Sequence, residues 1–402
     1  MSEPTGGVIM LGDQRRWRSV VALLGVVALG LLPAGCAGSL TAENAPSAGA
    51  TQSTRAPAPA KVEIEPQDGA QDVSPIGPIR VSVTDGTLTE ITLTNPDGKQ
   101  VNGTLSPDKR TWTVTEPLGY DRTYTWSGTA VGTDGKPVQV SGSFRTLKPA
   151  RKVAATLNVA DNATVGIAMP IQIVFNSAVK DRAAVERAVR VESDPPTEGA
   201  WGWLDDTHLV WRPREYWKPG TSVRVDARLY GVPHGGGAYG SHDLTSSFTI
   251  GRAQIVKANT ATHRMVVIRD GQQIADYPAS YGLETDPNRV TRNGTYWVMS
   301  KHATYSMTNE RYGYRDVVVP WALRLSNNGE FIHGYAPSVW AQGKQNVSHG
   351  CVNLSPENAK KYFDSALIGD PVEVEGSPID LPTNGNDIWA IPWDVWRSKS
   401  AA

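Results

Sequence analysis

The sequence predicts a mainly β chain: two tandem β-sandwiches, a third β-rich domain with one clear helix, and a tryptophan-rich tail. Three observations carry this. Short alternating apolar runs separated by turn residues fill the region from residue 61 to 250. Within it, residues 73–83 (Val73, Pro78, Ile79, Val81, Val83) align without gaps on residues 165–175 (Val165, Pro170, Ile171, Ile173, Phe175), a repeat of one domain length. Beyond it, a single strong helix start at Ser355 interrupts an otherwise strand-like pattern.

The chain has 402 residues, more than one ordinary core. A net charge of −1 argues against a nucleic-acid partner, and 20% charged with 40% hydrophobic residues is a globular mixture.

Taken in order, residues 1–36 read as a leader. Arg15, Arg16 and Arg18 precede an apolar run from Val20 to Leu32 that ends in Pro33, Ala34, Gly35 and Cys36. The run falls short of the ~18 apolar residues of a spanning helix. Small residues before a cysteine resemble a bacterial lipoprotein signal, with Pro33 where that signal usually has leucine. The alternatives are lipidation at Cys36, retention as a signal anchor, or simple secretion. Each exports the chain to the cell envelope, and the first two hold it at the outer face of the plasma membrane. Residues 37–60 are rich in Ala, Ser and Pro without apolar periodicity, which reads as a flexible tether.

Residues 61–149 carry candidate strands at 79–83, 91–93, 112–114, 124–126 and 138–140, with Asp85-Gly86, Asp97-Gly98 and Asp134-Gly135 as reversals. That is the pattern of an immunoglobulin-like sandwich. Residues 150–250 repeat it, with Ser247-Phe248 answering Ser143-Phe144, and add a short helix at 181–190. Neither sandwich has a cysteine pair, so apolar packing must hold both, and their plain reading is as spacers. His234 and His242 beside Gly235, Gly236 and Gly237 lack the carboxylates of a cation loop.

The third domain, residues 251–378, has a hairpin of 263–268 and 273–277 around Asp270-Gly271 and a strand at 294–299. A second hairpin, 322–325 with 330–332, turns at Asn327, Asn328 and Gly329 and delivers His333. A helix follows with Ser355 as N-cap, Pro356 at its first position and Glu357 in its first turn; it runs from 359 to 367 and stops at Gly369. A strand at 371–375 closes the domain. In the tail, residues 379–402, Trp389, Trp393 and Trp396 are too apolar to float, so docking on the third domain or the second sandwich is expected, with sugar binding as the alternative.

The chemistry concentrates in residues 346–354. Cys351 is the only cysteine beyond the leader. Outside the cell an unpaired thiol is a liability unless it is used. A thiol of pKa ~8.5 needs a base at neutral pH, and His333, at a strand end, can supply one, its ring held by a backbone carbonyl at Gly334. Gly350 lets the chain turn sharply, and the amides of Gly350 and Cys351 would form an oxyanion hole. Ser348 and Asn353 are suited to bracing the loop or holding substrate backbone. The competing readings are an inert buried thiol, a core histidine, and zinc bound by Cys351, His349 and His333, which lacks a fourth ligand.

The run Phe331, Ile332, His333, Gly334 followed by Ser348, His349, Gly350, Cys351, Val352 and Asn353 resembles the HG…SHGC signature of the YkuD-type L,D-transpeptidases. With two sandwiches and a tryptophan-rich tail, residues 61–397 resemble the mycobacterial type. The resemblance implies an enzyme without cofactor that joins peptidoglycan stem peptides, donor and acceptor, into 3→3 cross-links through a cysteine thioester, and that carbapenems acylate at the same cysteine. It implies Cys351 as nucleophile, His333 as base, His349 as the second motif histidine, Tyr314 as a lid tyrosine, and Asn328, Gly329 and Asn353 as substrate contacts. Many members have arginine where this chain has Asn353, and some close relatives have serine where it has Gly334. The alternatives are L,D-carboxypeptidase action, with water resolving the thioester, and a non-catalytic wall-binding protein.

Overall fold

The repeat in the sequence has a structural counterpart strand for strand. The computed structural model describes residues 56–383 and 387–402; the leader, Cys36 and most of the tether lie outside the described residues. The first sandwich contains β1 (Lys61–Glu65), β2 (Ala70–Val73), β3 (Arg80–Thr84), β4 (Gly86–Thr94), β5 (Gly103–Leu105), β6 (Thr111–Val114), β7 (Thr123–Gly132) and β8 (Pro137–Thr146). Its sheets have the orders β1-β3-β6-β5 and β2-β8-β7-β4.

The second sandwich begins with β9 (Arg151–Val153), β10 (Ala155–Leu157), β11 (Thr164–Val165), β12 (Ile171–Phe175), β13 (Val189–Asp194) and β14 (Gly199–Trp203). It continues with β15 (His208–Pro213), β16 (Ser222–Ala227), β17 (Pro233–Gly235), β18 (Ala238–Gly240) and β19 (Leu244–Ile250). Its main sheets, β10-β12-β15-β14 and β11-β19-β16-β13, match the first pair position by position, and β17-β18-β9 is added. Even the parallel pairing recurs, with Val73 opposite Thr146 and Val165 opposite Ile250.

Alternation along the strands sends every second side chain inward, so two apolar faces meet. Val81 and Trp112 from one sheet pack on Leu93, Trp126 and Phe144 from the other, with Trp112 edge-on to Trp126 at 5.6 Å. The Asp85-Gly86 turn differs from expectation. It passes the chain from β3 in one sheet to β4 in the other instead of closing a hairpin, and a Cβ on Gly86 would lie 2.3 Å from the Val131 carbonyl oxygen. The inserted helix α1 (Arg182–Arg187) is capped by Asp181, whose carboxylate accepts the Ala184 N–H at 3.1 Å.

Polar contacts join the sandwiches to each other and the second one to the third domain. The Tyr120 hydroxyl donates to the Gly240 carbonyl at 2.7 Å and accepts the Gly231 N–H at 2.8 Å. The Gly166 N–H reaches the Ile368 carbonyl at 2.7 Å and the Tyr216 hydroxyl donates to Glu373 at 3.0 Å, while just past the boundary Arg252 forms a bidentate pair with fully buried Asp370 inside the third domain.

The third domain contains β20 (Gln254–Asn259), β21 (Arg264–Arg269), β22 (Gln272–Pro278), β23 (Gly294–Trp297), β24 (Ser300–Asn309), β25 (Tyr314–Arg324), β26 (Phe331–Gly334), β27 (Val352–Leu354) and β28 (Pro371–Glu375). One sheet has the order β22-β21-β20-β28-β23 and the other β24-β25-β26-β27. Helix α2 (Pro356–Ser365) buries Ala359 and Tyr362 in the core they share. Its N-cap is Ser355, accepting the Asn358 N–H at 3.2 Å. The helix ends at Ser365, short of the expected Leu367. Asp370 accepts the Leu367 N–H at 2.9 Å and Arg252 binds the Ser365 carbonyl, so side chains take over before another turn can form.

The tail docks on the second sandwich. Trp396 in α3 (Trp393–Arg397) is fully buried with Val210, Ile388 and Ile391, and its indole N–H reaches the Ala200 carbonyl at 3.0 Å. The Arg212 guanidinium lies 5.0 to 5.4 Å from the rings of Trp389, Trp393 and Trp396. Replacing Trp396 with Ala should cost about 3–5 kcal/mol, read by denaturant unfolding; a loss under ~1 kcal/mol would show that the tail is merely laid on the surface.

Candidate active site

Cys351 lies where a hairpin, a parallel crossover and a loop converge. The hairpin of β25 and β26 sets Leu323 opposite Ile332 and Arg324 opposite Phe331. β26 then pairs in parallel with β27, placing His333 opposite Asn353 and Ile332 opposite Val352. Parallel strands require a crossover, here residues 335–351, and Cys351 is its last residue.

His333 is buried, and its Nδ1–H donates to the Gly334 carbonyl at 3.1 Å. That bond fixes the tautomer and leaves the lone pair on Nε2. Burial pushes the imidazole pKa down to about 4, with the Gly334 carbonyl opposing. The half-buried Cys351 packs against the small cluster of Val319, Ala322 and Phe331, and burial pushes its thiol up to about 12, the main chain of Phe331 opposing and the Glu330 carboxylate reinforcing. At neutral pH both groups rest uncharged: the thiol keeps its proton and the imidazole can accept one. The thiol donates to the Gly329 carbonyl at 3.7 Å, and no hydrogen bond joins it to His333. Both side chains line one cavity.

The loop before Cys351 is braced bond by bond. The Ser348 hydroxyl donates to the Cys351 carbonyl at 2.7 Å and accepts the Gly350 N–H at 3.2 Å. This corrects the expectation for Gly350: its amide is already engaged, and its contribution is the backbone conformation at φ 119°. The Thr291 hydroxyl donates to the Gly350 carbonyl at 2.8 Å, and because C=O and N–H oppose one another across a trans peptide, the Cys351 N–H points the other way. Arg289 donates through Nε to the Ser348 carbonyl at 3.1 Å and through Nη2 to the Val347 carbonyl at 2.6 Å. Asn346 accepts the Tyr281 N–H at 3.1 Å and donates to the Thr260 carbonyl at 3.0 Å. Sequence reasoning assigned no role to Thr291, Arg289 or Asn346; their partners stand 58 to 86 residues away, beyond any local pattern.

The β24–β25 hairpin overhangs the thiol. At its tip, Tyr312 and Tyr314 face the exposed His349 ring at 4.8 and 5.3 Å, and the Tyr312 hydroxyl donates to Asp286 at 3.3 Å. Partial burial and the Arg289 charge hold the His349 pKa below its usual value, with Asp286 opposing. Partial burial raises the Tyr314 phenol, and Cys351 adds to the shift.

The thiol lies between two cavities. His333, Cys351, Tyr314, Ser348, His349 and Asn353 line one of about 350 Å³. Asn328, Gly329, Gly350, Tyr314, His349 and Cys351 line the other, about 430 Å³ and richer in polar groups, Arg292, Arg324 and Glu330 among them. All the expected site residues outside the leader therefore meet at Cys351. Asn353 donates to Ser338 at 3.3 Å, while its buried Oδ1 has no partner, an acceptor suited to an N–H group on a ligand. Asn328 donates to Asp387 at 3.1 Å. Burial pushes the Asp387 carboxyl up to about 6, with neighbouring Glu330 reinforcing and Asn328 and Arg292 opposing. Among the described residues no group of three or more His, Cys, Asp or Glu could hold a metal ion.

Fold and site together define a class: an acyltransferase-type enzyme whose β-rich catalytic domain is carried on immunoglobulin-like sandwiches. The L,D-transpeptidase catalytic domain family, YkuD, matches residues 253–374, and the bacterial Ig domain family matches residues 70–233. L,D-transpeptidase 5 of Mycobacterium tuberculosis (strain ATCC 25618 / H37Rv) is 50% identical over 385 residues, covering 94% of this chain and 83% of its own length. L,D-transpeptidase 2 of Mycobacterium tuberculosis (strain CDC 1551 / Oshkosh) is 38% identical over 351 residues, 85% of each chain. A solved structure of an LD transpeptidase in complex with imipenem is 35% identical with a TM-score of 0.49, covering 56% of this chain and 100% of that one. The chain belongs to the L,D-transpeptidase family.

Proposed function

We propose that the chain forms 3→3 peptidoglycan cross-links through a thioester on Cys351. One observation carries this reading: the Cys351 thiol and the imidazole of His333, its tautomer fixed by the Gly334 carbonyl, line the same cavity beneath the hairpin. The sulfur attacks the carbonyl of the diaminopimelic residue of a tetrapeptide donor while its proton passes to His333 Nε2. The oxyanion forms against the Cys351 N–H, oriented by Thr291. As the C–N bond breaks, His333 returns the proton to the departing D-Ala amine. The side-chain amine of an acceptor stem then attacks the thioester, yields its proton to His333, and the cysteine thiol is restored. Cavities on both sides of Cys351 give donor and acceptor separate approaches. A strained β-lactam carbonyl offers the thiol the same electrophile, so carbapenems acylate Cys351.

The reading includes export to the outer face of the plasma membrane by residues 1–36, held by lipid on Cys36 or an uncleaved signal anchor, with residues 61–149 and 150–250 lifting the catalytic domain toward its substrate. The test is product analysis after incubating the chain from residue 56 onward with disaccharide-tetrapeptide. Cross-linked dimers are expected. Tripeptide monomers alone would indicate a carboxypeptidase, and unchanged substrate a wall-binding protein.

A further inference from the structure

We propose that Arg289 is a positioning residue that ties the placement of the β24–β25 hairpin tip to the geometry of the nucleophile loop. The inference rests on the reading of Cys351 as nucleophile. Two surfaces meet at this one side chain. On one, the guanidinium fork binds consecutive carbonyls, Val347 at 2.6 Å and Ser348 at 3.1 Å, the residues that lead into His349, Gly350 and Cys351. On the other, its central carbon lies 5.8 Å from the centre of the Tyr312 ring at the hairpin tip.

The fork's effect on the loop follows from peptide planarity. Holding the Ser348 carbonyl fixes the 348–349 peptide plane, and with it the direction in which the His349 residue departs. The His349 ring in turn faces Tyr312 and Tyr314. A closed circuit results: Arg289 to the loop, the loop through His349 to the tip, and the tip through Tyr312 back to Arg289. The Tyr312 hydroxyl bond to Asp286, three residues before Arg289, anchors the same tip to the same segment. Only arginine suits the place, because it presents two parallel donors and a flat cationic face together, whereas a lysine ammonium reaches one carbonyl at a time.

The test measures acylation of the full chain by imipenem by intact mass, as a function of drug concentration. In Arg289→Lys the maximal acylation rate should fall on the order of 10- to 100-fold, the scale of a misplacement near 1 Å at a reacting centre. The half-saturating concentration should change less than about threefold, and added guanidinium should restore part of the rate to Arg289→Ala. Tyr312→Leu, at an accessible tip, should also slow acylation, and in the double variant with Arg289→Lys the losses should fall short of multiplying, because both break one circuit. An unchanged rate in Arg289→Lys, a loss confined to half-saturation, or losses that multiply would overturn the inference. Failure of the wild-type chain to acylate would instead refute the nucleophile reading.

Discussion

Replacing Cys351 with Ala should abolish both cross-link formation and the mass gain with imipenem, while the unfolding transition should stay within a few °C of wild type. The fold does not lean on this sulfur. Cys351 is half-buried at the edge of a small cluster under the hairpin, and no disulfide or metal involves it among the described residues. Chemically nothing replaces it: Ser348 is committed at both ends of its hydroxyl to the Cys351 carbonyl and the Gly350 amide. The expected loss is therefore total within detection, and an adduct retained in Cys351→Ala would move the nucleophile elsewhere.

Replacing His333 with Ala should slow acylation by ~10²- to 10⁴-fold, the usual contribution of a positioned general base, because a thiol pushed up to about 12 supplies almost no thiolate without one. The wild-type pH profile should carry the same signature. An imidazole pushed down to about 4 stays competent to accept a proton throughout the neutral range, so the acid limb of acylation should lie near pH 4 and not near 6.5. The unfolded chain takes up a proton on His333 below about 6.5 and the folded one only near 4, so the stability tied to its neutral form is present above 6.5 and is lost as pH falls through the folded value. Stopped-flow acylation and thermal unfolding from pH 4 to 8 check both, and an acid limb at 6.5 would show that His333 is not held neutral by burial.

Much of this site is legible in the sequence because its parts are local. The turn at Asn327, Asn328 and Gly329 announces the hairpin, the hairpin delivers His333, and the stretch from Ser348 to Cys351 carries its own signature. The sandwiches are legible for a related reason: alternation along a strand records which face is buried, and the repeat records it twice. What sequence reasoning missed is what long-range pairing decides. Thr291 and Arg289 reach the loop across 58 or 59 residues, and nothing in the composition around either marks it as a loop brace. The Gly350 amide was misjudged because the pattern shows a glycine before a nucleophile but not that Ser348, two residues back, would capture its N–H. The Asp85-Gly86 turn was misjudged because a reversal reads the same whether the chain stays in its sheet or crosses to the facing one.

One covalent bond is decisive, and it can be weighed. The wild-type chain mixed with disaccharide-tetrapeptide donor alone, quenched in acid within the first turnover and digested, should yield the Cys351 peptide heavier by the mass of the donor less one D-Ala, carried on sulfur and lost to mild base or hydroxylamine. Consumption of donor with no acyl group on Cys351, or an acyl group on any other residue, would contradict it.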